Sequence, residues 1–212
     1  MAYLRLDRLA TTALCREPFD FVVVPGFVGS EAEVTLSRDY PRIARAGSFP
    51  VSELQYGPAF ASLLAELNGP GLEQALADKL STPLAGLPRM TTVRGRCRGR
   101  DGQVHTDSPW KVVSLLLYLN GSSWSAAGGR LRLLRSGDVQ DVAVEVPPDW
   151  GTLIAFRRSD RSFHGHESFE GERRVVQVNW ATDQARIDRE LGRHRRTAWL
   201  KRILPFVGRG DY

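Results

Sequence analysis

The chain has 212 residues, with 42% hydrophobic and 25% charged residues, which excludes a disordered or fibrous polypeptide and fits one large core. No apolar run approaches the roughly 18 residues of a membrane span, and the N-terminus alternates apolar and charged residues where a signal peptide needs a continuous apolar region. Two cysteines, Cys15 and Cys97, are too few for a disulfide framework or a thiolate metal site, so a cytoplasmic home is expected; the net charge of +5 permits anionic partners without requiring them.

Leu6, Leu9, Ala13 and Leu14 fall at helical spacing, with Pro18 as the stop. Residues 19–24 read as a strand closed by Pro25-Gly26, and Ser30 with Glu33 reads as a capping box opening a helix toward Tyr40. Two helices are expected over 58–67 and 71–80, separated by Asn68-Gly69-Pro70. From Arg89 onward short β-rich runs take over, at 90–98, 112–119, 130–134, 139–146, 152–156 and 174–180, with glycine or proline turns between them. That pattern predicts a sandwich or barrel. An arginine-rich helix is expected over 183–204, with Arg186, Arg189, Arg193, His194, Arg195 and Arg196 exposed and Ile187, Leu191, Trp199 and Leu200 packed inward. The expected organisation is a single domain over 1–212: a helical and mixed support at 1–88, a catalytic core at 89–181 and a C-terminal helix at 182–212.

His105 and Asp107 are two residues apart, so an extended segment projects both from one face. His164 follows a later strand. Two imidazoles and one carboxylate on one side of a metal are the facial triad of non-haem iron oxygenases, which leaves open positions for oxidant and co-substrate. An arginine on the last strand offers a planar cation for a carboxylate.

In their order along the chain, His105-Thr106-Asp107, Tyr118-Leu119-Asn120, residues 128–132, residues 148–156, residues 159–161, His164-Gly165 and Arg174 resemble the 2-oxoglutarate- and Fe(II)-dependent dioxygenases, in particular the prolyl 4-hydroxylase branch. The resemblance covers roughly residues 90–181 and implies a mostly β, α+β fold: a double-stranded β-helix (a jelly-roll, cupin-like core) packed on N- and C-terminal helices. It implies an oxidoreductase that hydroxylates a peptidyl proline or a small amino-acid-like molecule, using Fe(2+), 2-oxoglutarate and O2 and releasing succinate and CO2. L-Ascorbate is a candidate further cofactor.

Carried over, the resemblance makes His105, Asp107 and His164 the iron ligands and Arg174 the partner of the distal carboxylate of 2-oxoglutarate. Tyr118 matches a tyrosine that binds the same carboxylate in some prolyl hydroxylases, and Ser114 and Leu131 would line the co-substrate pocket. His166 competes with His164, whose following glycine and distance from Arg174 favour it. Arg173 competes with Arg174, and counting back six residues from Trp180 selects Arg174. A carboxylate at Asp107 leaves no vacancy for halide, which disfavours a halogenase.

Arg94, Arg96, Arg98 and Arg100 alternate with other residues, so a regular strand would place them on one face; they are either a guide for an anionic substrate or a solvated edge. Trp110, His166, Arg94 and Arg96 are the candidate substrate-facing residues. The expected partner is a small molecule or peptide, with neither nucleic acid nor membrane. The rival readings are a cupin-like metal-binding sensor without turnover, and a Zn or Mn hydrolase that needs no 2-oxoglutarate.

Overall fold

The computed structural model of the protein describes residues 2–121 and 124–192. In chain order the elements are α1 (Leu6–Thr11), β1 (Phe21–Val24), α2 (Glu33–Asp39), β2 (Phe49–Pro50), α3 (Pro58–Leu67), α4 (Pro70–Leu80), β3 (Arg89–Cys97) and β4 (Lys111–Tyr118). They continue with β5 (Leu131–Leu134), β6 (Val142–Val146), β7 (Leu153–Arg157), β8 (His164–Gly165) and β9 (Gly171–Ala181). A final helix starts at 184 and runs to the end of the described residues at 192, with Ile187 buried and Arg186 and Arg189 exposed. The rest of that expected helix, including Arg193, His194, Arg195, Arg196, Trp199 and Leu200, lies outside the described residues. Among the described residues no helix is long and apolar enough to cross a membrane.

The strands form two antiparallel sheets, one of six strands in the order β1-β7-β4-β9-β3-β2 and one of three in the order β6-β5-β8. An isolated bridge between His105 and His164 extends the smaller sheet by one more extended segment. This is the double-stranded β-helix that the sequence leads one to expect.

The period-2 geometry of a strand sorts the side chains. On β4, Val113, Leu115 and Leu117 face outward, where they join Val176, Val178 and Trp180 of β9 and the helical residues Phe60, Leu63, Leu67, Leu72 and Leu76 in one buried cluster. Ser114, Leu116 and Tyr118 face the opposite way, toward a second cluster between the sheets that contains Leu131, Leu133, Ile154, Phe156 and Val175. A strand covered on both faces reads as an unbroken apolar run, which is why 112–119 looks continuous. Burying the Trp180 side chain completely is worth several kcal/mol at about 25 cal/mol per Å2.

The structure departs from expectation in places. Helix α1 stops at Thr11, where the Thr11 and Thr12 hydroxyls donate back to the Asp7 and Arg8 carbonyls, instead of continuing to Leu14. The Ser30–Glu33 capping box does not form; a 3-10 turn at Ser30–Ala32 leads into α2 without a side-chain cap. The two-residue strands β2 and β8 carry no periodic signal of their own. Strand β9 begins at Gly171, three residues before the expected start.

Candidate metal and co-substrate site

His105 and His164 face each other as a hydrogen-bonded antiparallel pair, each backbone N–H donating to the other's carbonyl at 3.0 Å. Directly opposed residues project to the same side of a sheet, and Asp107 shares that side through its spacing of two. One ligand atom from each of the three residues lies within 4.8 Å of the others, and among the described residues no other such group of His, Cys, Asp or Glu forms. Asp107 and His164 are buried whereas His105 is exposed, so the group opens to solvent on one side.

The hydrogen bonds fix the tautomers. His105 Nδ1 is 2.8 Å from the Gln103 carbonyl and His164 Nδ1 is 2.9 Å from the Ser162 carbonyl. A carbonyl only accepts, so both Nδ1 atoms carry the proton and both Nε2 lone pairs remain available to a cation. Burial pushes His164 down to about 4, with His105 adding to the effect and Asp107 opposing it, so this imidazole is neutral near pH 7 and suited to ligation.

Asp107 is held at both oxygens. Lys111 Nζ sits 2.5 Å from Oδ1, and Ser114 Oγ sits 2.5 Å from Oδ2 and 2.9 Å from Asn179 Oδ1. Ser114 has one proton for these two acceptors; Asn179 Oδ1 also accepts from Gln177 Nε2 at 3.3 Å, and the Asn179 amide nitrogen is buried with no hydrogen-bond partner among the described residues. Arg158 Nε donates to the Asp107 backbone carbonyl at 3.1 Å. Burial raises the Asp107 pKa, but Lys111, His164 and the Ser114 hydroxyl more than offset it and hold the group below the usual carboxylate value. Two imidazoles and one carboxylate on one face fit Fe(II), with the opposite face left for other ligands.

The inner face of β9, which also carries Asn179, holds a buried cation. Arg173 is 3% exposed; its Nε donates to the Gly129 carbonyl at 2.8 Å, its Nη2 lies 3.2 Å from the Tyr118 hydroxyl, and its guanidinium lies 5.1 Å from the Tyr118 ring centroid. No carboxylate among the described residues reaches ion-pair distance of Arg173, so a buried cation is left needing an anion. Burial raises the Tyr118 pKa, which keeps the phenol protonated as a donor, with Arg173 and Arg94 pulling the other way. Leu131 and Val175 belong to the same interior cluster as Tyr118. His166 is buried, pushed down to about 4 by burial and then by Arg173, and its ring packs on Gly102, where an added Cβ would meet Nε2.

Several expected residues lie elsewhere. Arg174 points to the other side of β9: its Nε is 2.6 Å from Glu172 Oε1 and its guanidinium lies 5.3 Å from the Tyr40 ring centroid. The interior arginine is Arg173, not Arg174, because counting from Trp180 follows the outward-facing parity; six residues after Arg173 stands the buried Asn179. The row from Arg94 to Arg100 does not share one face. A register shift between Arg94 and Arg96 lets Arg94, paired with Val175, face inward while Arg96, paired with Glu172, is exposed. Trp110 packs with Met90, Ala181 and Ile187, and its ring centroid lies 6.0 Å from the Lys111 ammonium that contacts Asp107. Sequence reasoning missed the roles of Lys111, Asn179 and Gly129. A cavity of about 940 Å3 beside Tyr40, Phe49 and Tyr56 is lined by none of the three candidate ligands.

Residues 94–182 match the family model of the 2OG-Fe(II) oxygenase superfamily. No curated protein matches the chain. Among solved structures, a Pseudomonas putida prolyl-4-hydroxylase is similar with a TM-score of 0.56 and 20% identity, over 83% of this chain and 90% of that one. A prolyl 4-hydroxylase from Phytophthora capsici is similar with a TM-score of 0.55 and 22% identity, over 85% and 67% of the two chains. A 2OG-Fe(II) oxygenase family oxidoreductase from Burkholderia pseudomallei is similar with a TM-score of 0.52 and 16% identity, over 85% and 96%. At these identities the likenesses establish the fold, and the family match adds that residues 94–182, somewhat under half of the chain, are similar to the 2OG-Fe(II) oxygenase superfamily.

Proposed function

We propose that the protein is a hydroxylase in which His105, Asp107 and His164 hold Fe(II) and Arg173 with Tyr118 holds the distal carboxylate of 2-oxoglutarate. The carrying observation is the close His105–Asp107–His164 group together with a buried arginine that has no acidic partner among the described residues. Bound Fe(II) supplies dioxygen activation, coupled to conversion of 2-oxoglutarate into succinate and CO2 and to insertion of one oxygen atom into a substrate C–H bond.

The chain's residues contribute position, charge and dryness. The backbone carbonyls of Gln103 and Ser162 hold both imidazoles with Nε2 free. Ser114 and Lys111 restrain the carboxylate plane of Asp107 so that it does not have to be ordered on ligation. Arg173 and the Tyr118 hydroxyl meet a carboxylate with charge-assisted donors, and Leu131, Val175 and Phe156 keep water from the pocket. The prolyl 4-hydroxylases that share this fold, together with Tyr118-Leu119-Asn120, support proposing a peptidyl proline or a small amino-acid-like molecule as substrate.

The test is succinate release by Fe(II)-loaded protein given 2-oxoglutarate and dioxygen. The reading expects slow release without substrate, abolished by chelation. Metal binding with no succinate, and no effect of 2-oxoglutarate on the metal's spectrum, would instead establish a passive metal-binding protein.

A further inference from the structure

The interior carries a second inward-facing guanidinium. Arg94 on β3 is paired in register with Val175 on β9, so it faces the same space as Arg173, two residues back along β9. Arg94 and Arg173 both bear electrostatically on the Tyr118 hydroxyl and on His166. A single carboxylate from 2-oxoglutarate has only one of them to answer.

Arg94 shares its local acid with Arg98, which holds it more closely. Asp101 accepts the Arg98 backbone N–H at 2.9 Å and lies 3.5 Å from Arg98 Nη2, whereas Arg94 Nη1 is 3.9 Å away, beyond hydrogen-bond length. The other Arg94 nitrogen, Nη2, donates to the uncharged Ser48 hydroxyl at 2.9 Å. Arg94 and Arg98 thus share one carboxylate, and one positive charge remains on this pair after 2-oxoglutarate has met Arg173. The Arg94 side chain is 26% exposed, against 3% for Arg173, so it sits nearer the opening. Asp101, which Arg94 approaches, stands four residues before His105 in the connection that leads to the candidate ligands. A half-buried cation whose one acidic neighbour is shared with Arg98 is a site that a further anion stabilises.

We propose that Arg94, oriented by Ser48 and Asp101, receives a carboxylate carried by the primary substrate, and therefore that the enzyme acts on a free carboxylic acid of amino-acid type, not on a residue inside a polypeptide. This rests on the dioxygenase reading above and narrows its substrate class.

The experiment uses the full chain loaded with Fe(II) and 2-oxoglutarate, given each free proteinogenic L-amino acid and, separately, the corresponding C-terminal amide, with succinate measured above the substrate-free background. At least one acid should stimulate release while its amide does not. Arg94→Gln should raise the KM for that acid roughly 10- to 100-fold, the loss expected for a hydrogen bond to a charged group, with partial recovery in Arg94→Lys. The dissociation constant of 2-oxoglutarate, read anaerobically from the metal charge-transfer band, should be unchanged in Arg94→Gln. The proposal is overturned if no acid stimulates release, if amides or a prolyl peptide serve as well, or if Arg94→Gln weakens 2-oxoglutarate binding as Arg173→Gln does. Absence of any 2-oxoglutarate-dependent band or succinate in the unaltered protein would overturn the dioxygenase reading itself, a failure separate from the other three.

Discussion

The Lys111 ammonium lies 2.5 Å from Asp107 Oδ1, four residues away and almost entirely out of solvent. A cation that close to a proposed ligand carboxylate should stabilise the metal-free protein and compete with an incoming divalent ion for the same oxygen. Lys111→Met should therefore act in opposite directions. Without metal, removing one partner of a buried pair should cost about 3 kcal/mol of stability in urea titrations. In calorimetric titrations Mn(II) should bind several-fold more tightly to Lys111→Met, because the repulsion between the ammonium and the ion is gone. Weaker Mn(II) binding would mean that Lys111 chiefly shapes the carboxylate.

Arg173 and Arg174 are adjacent in sequence and serve opposite faces of β9. Arg173→Gln should raise the dissociation constant of 2-oxoglutarate roughly 10- to 100-fold, since a charge-assisted contact is lost. Arg174→Gln, which removes a contact to Glu172 and Tyr40 on the outer face, should leave that constant unchanged. Equal effects of the two substitutions would contradict the placement of the co-substrate.

How far the sequence reaches can be judged from these positions. The His105–Asp107 pair is legible because a spacing of two is enough to put both on one face of an extended segment. The face of an arginine in the run Glu172-Arg173-Arg174 depends on where the strand begins and which parity is inward, and Trp180, the reference used, belongs to the outward set. The arginine row fails for a related reason. Gly95 allows Ile43 to approach so closely that a Cβ there would lie 2.7 Å from the Ile43 Cβ, and the register shifts beside it. A glycine inside an alternating strand is the readable sign of such a bulge. Contacts such as Ser114 with Asn179, 65 residues apart, have no local signature.

Acid should destabilise the metal-free protein through two imidazoles. Burial holds both His164 and His166 at about 4 in the folded chain, against an ordinary value of 6.5. Both folded values are lowered, so the unfolded chain takes up protons first as pH falls below 6.5, and stability should drop through the window down to about 4. Each imidazole can contribute up to about 3 kcal/mol to that loss. Urea titrations of metal-free protein across this range should show the decline, with a shallower slope in His166→Gln. Stability that is flat or rises on acidification would contradict the buried, neutral state of these rings.

The most direct test of the central claim is the visible absorption of the protein mixed anaerobically with Fe(II) and 2-oxoglutarate. A weak charge-transfer band is expected when both are present, lost on replacing Asp107 or His164 by alanine and shifted to higher 2-oxoglutarate concentration in Arg173→Gln. A band of full intensity in Asp107→Ala and His164→Ala, or none in the unaltered protein, would contradict the account.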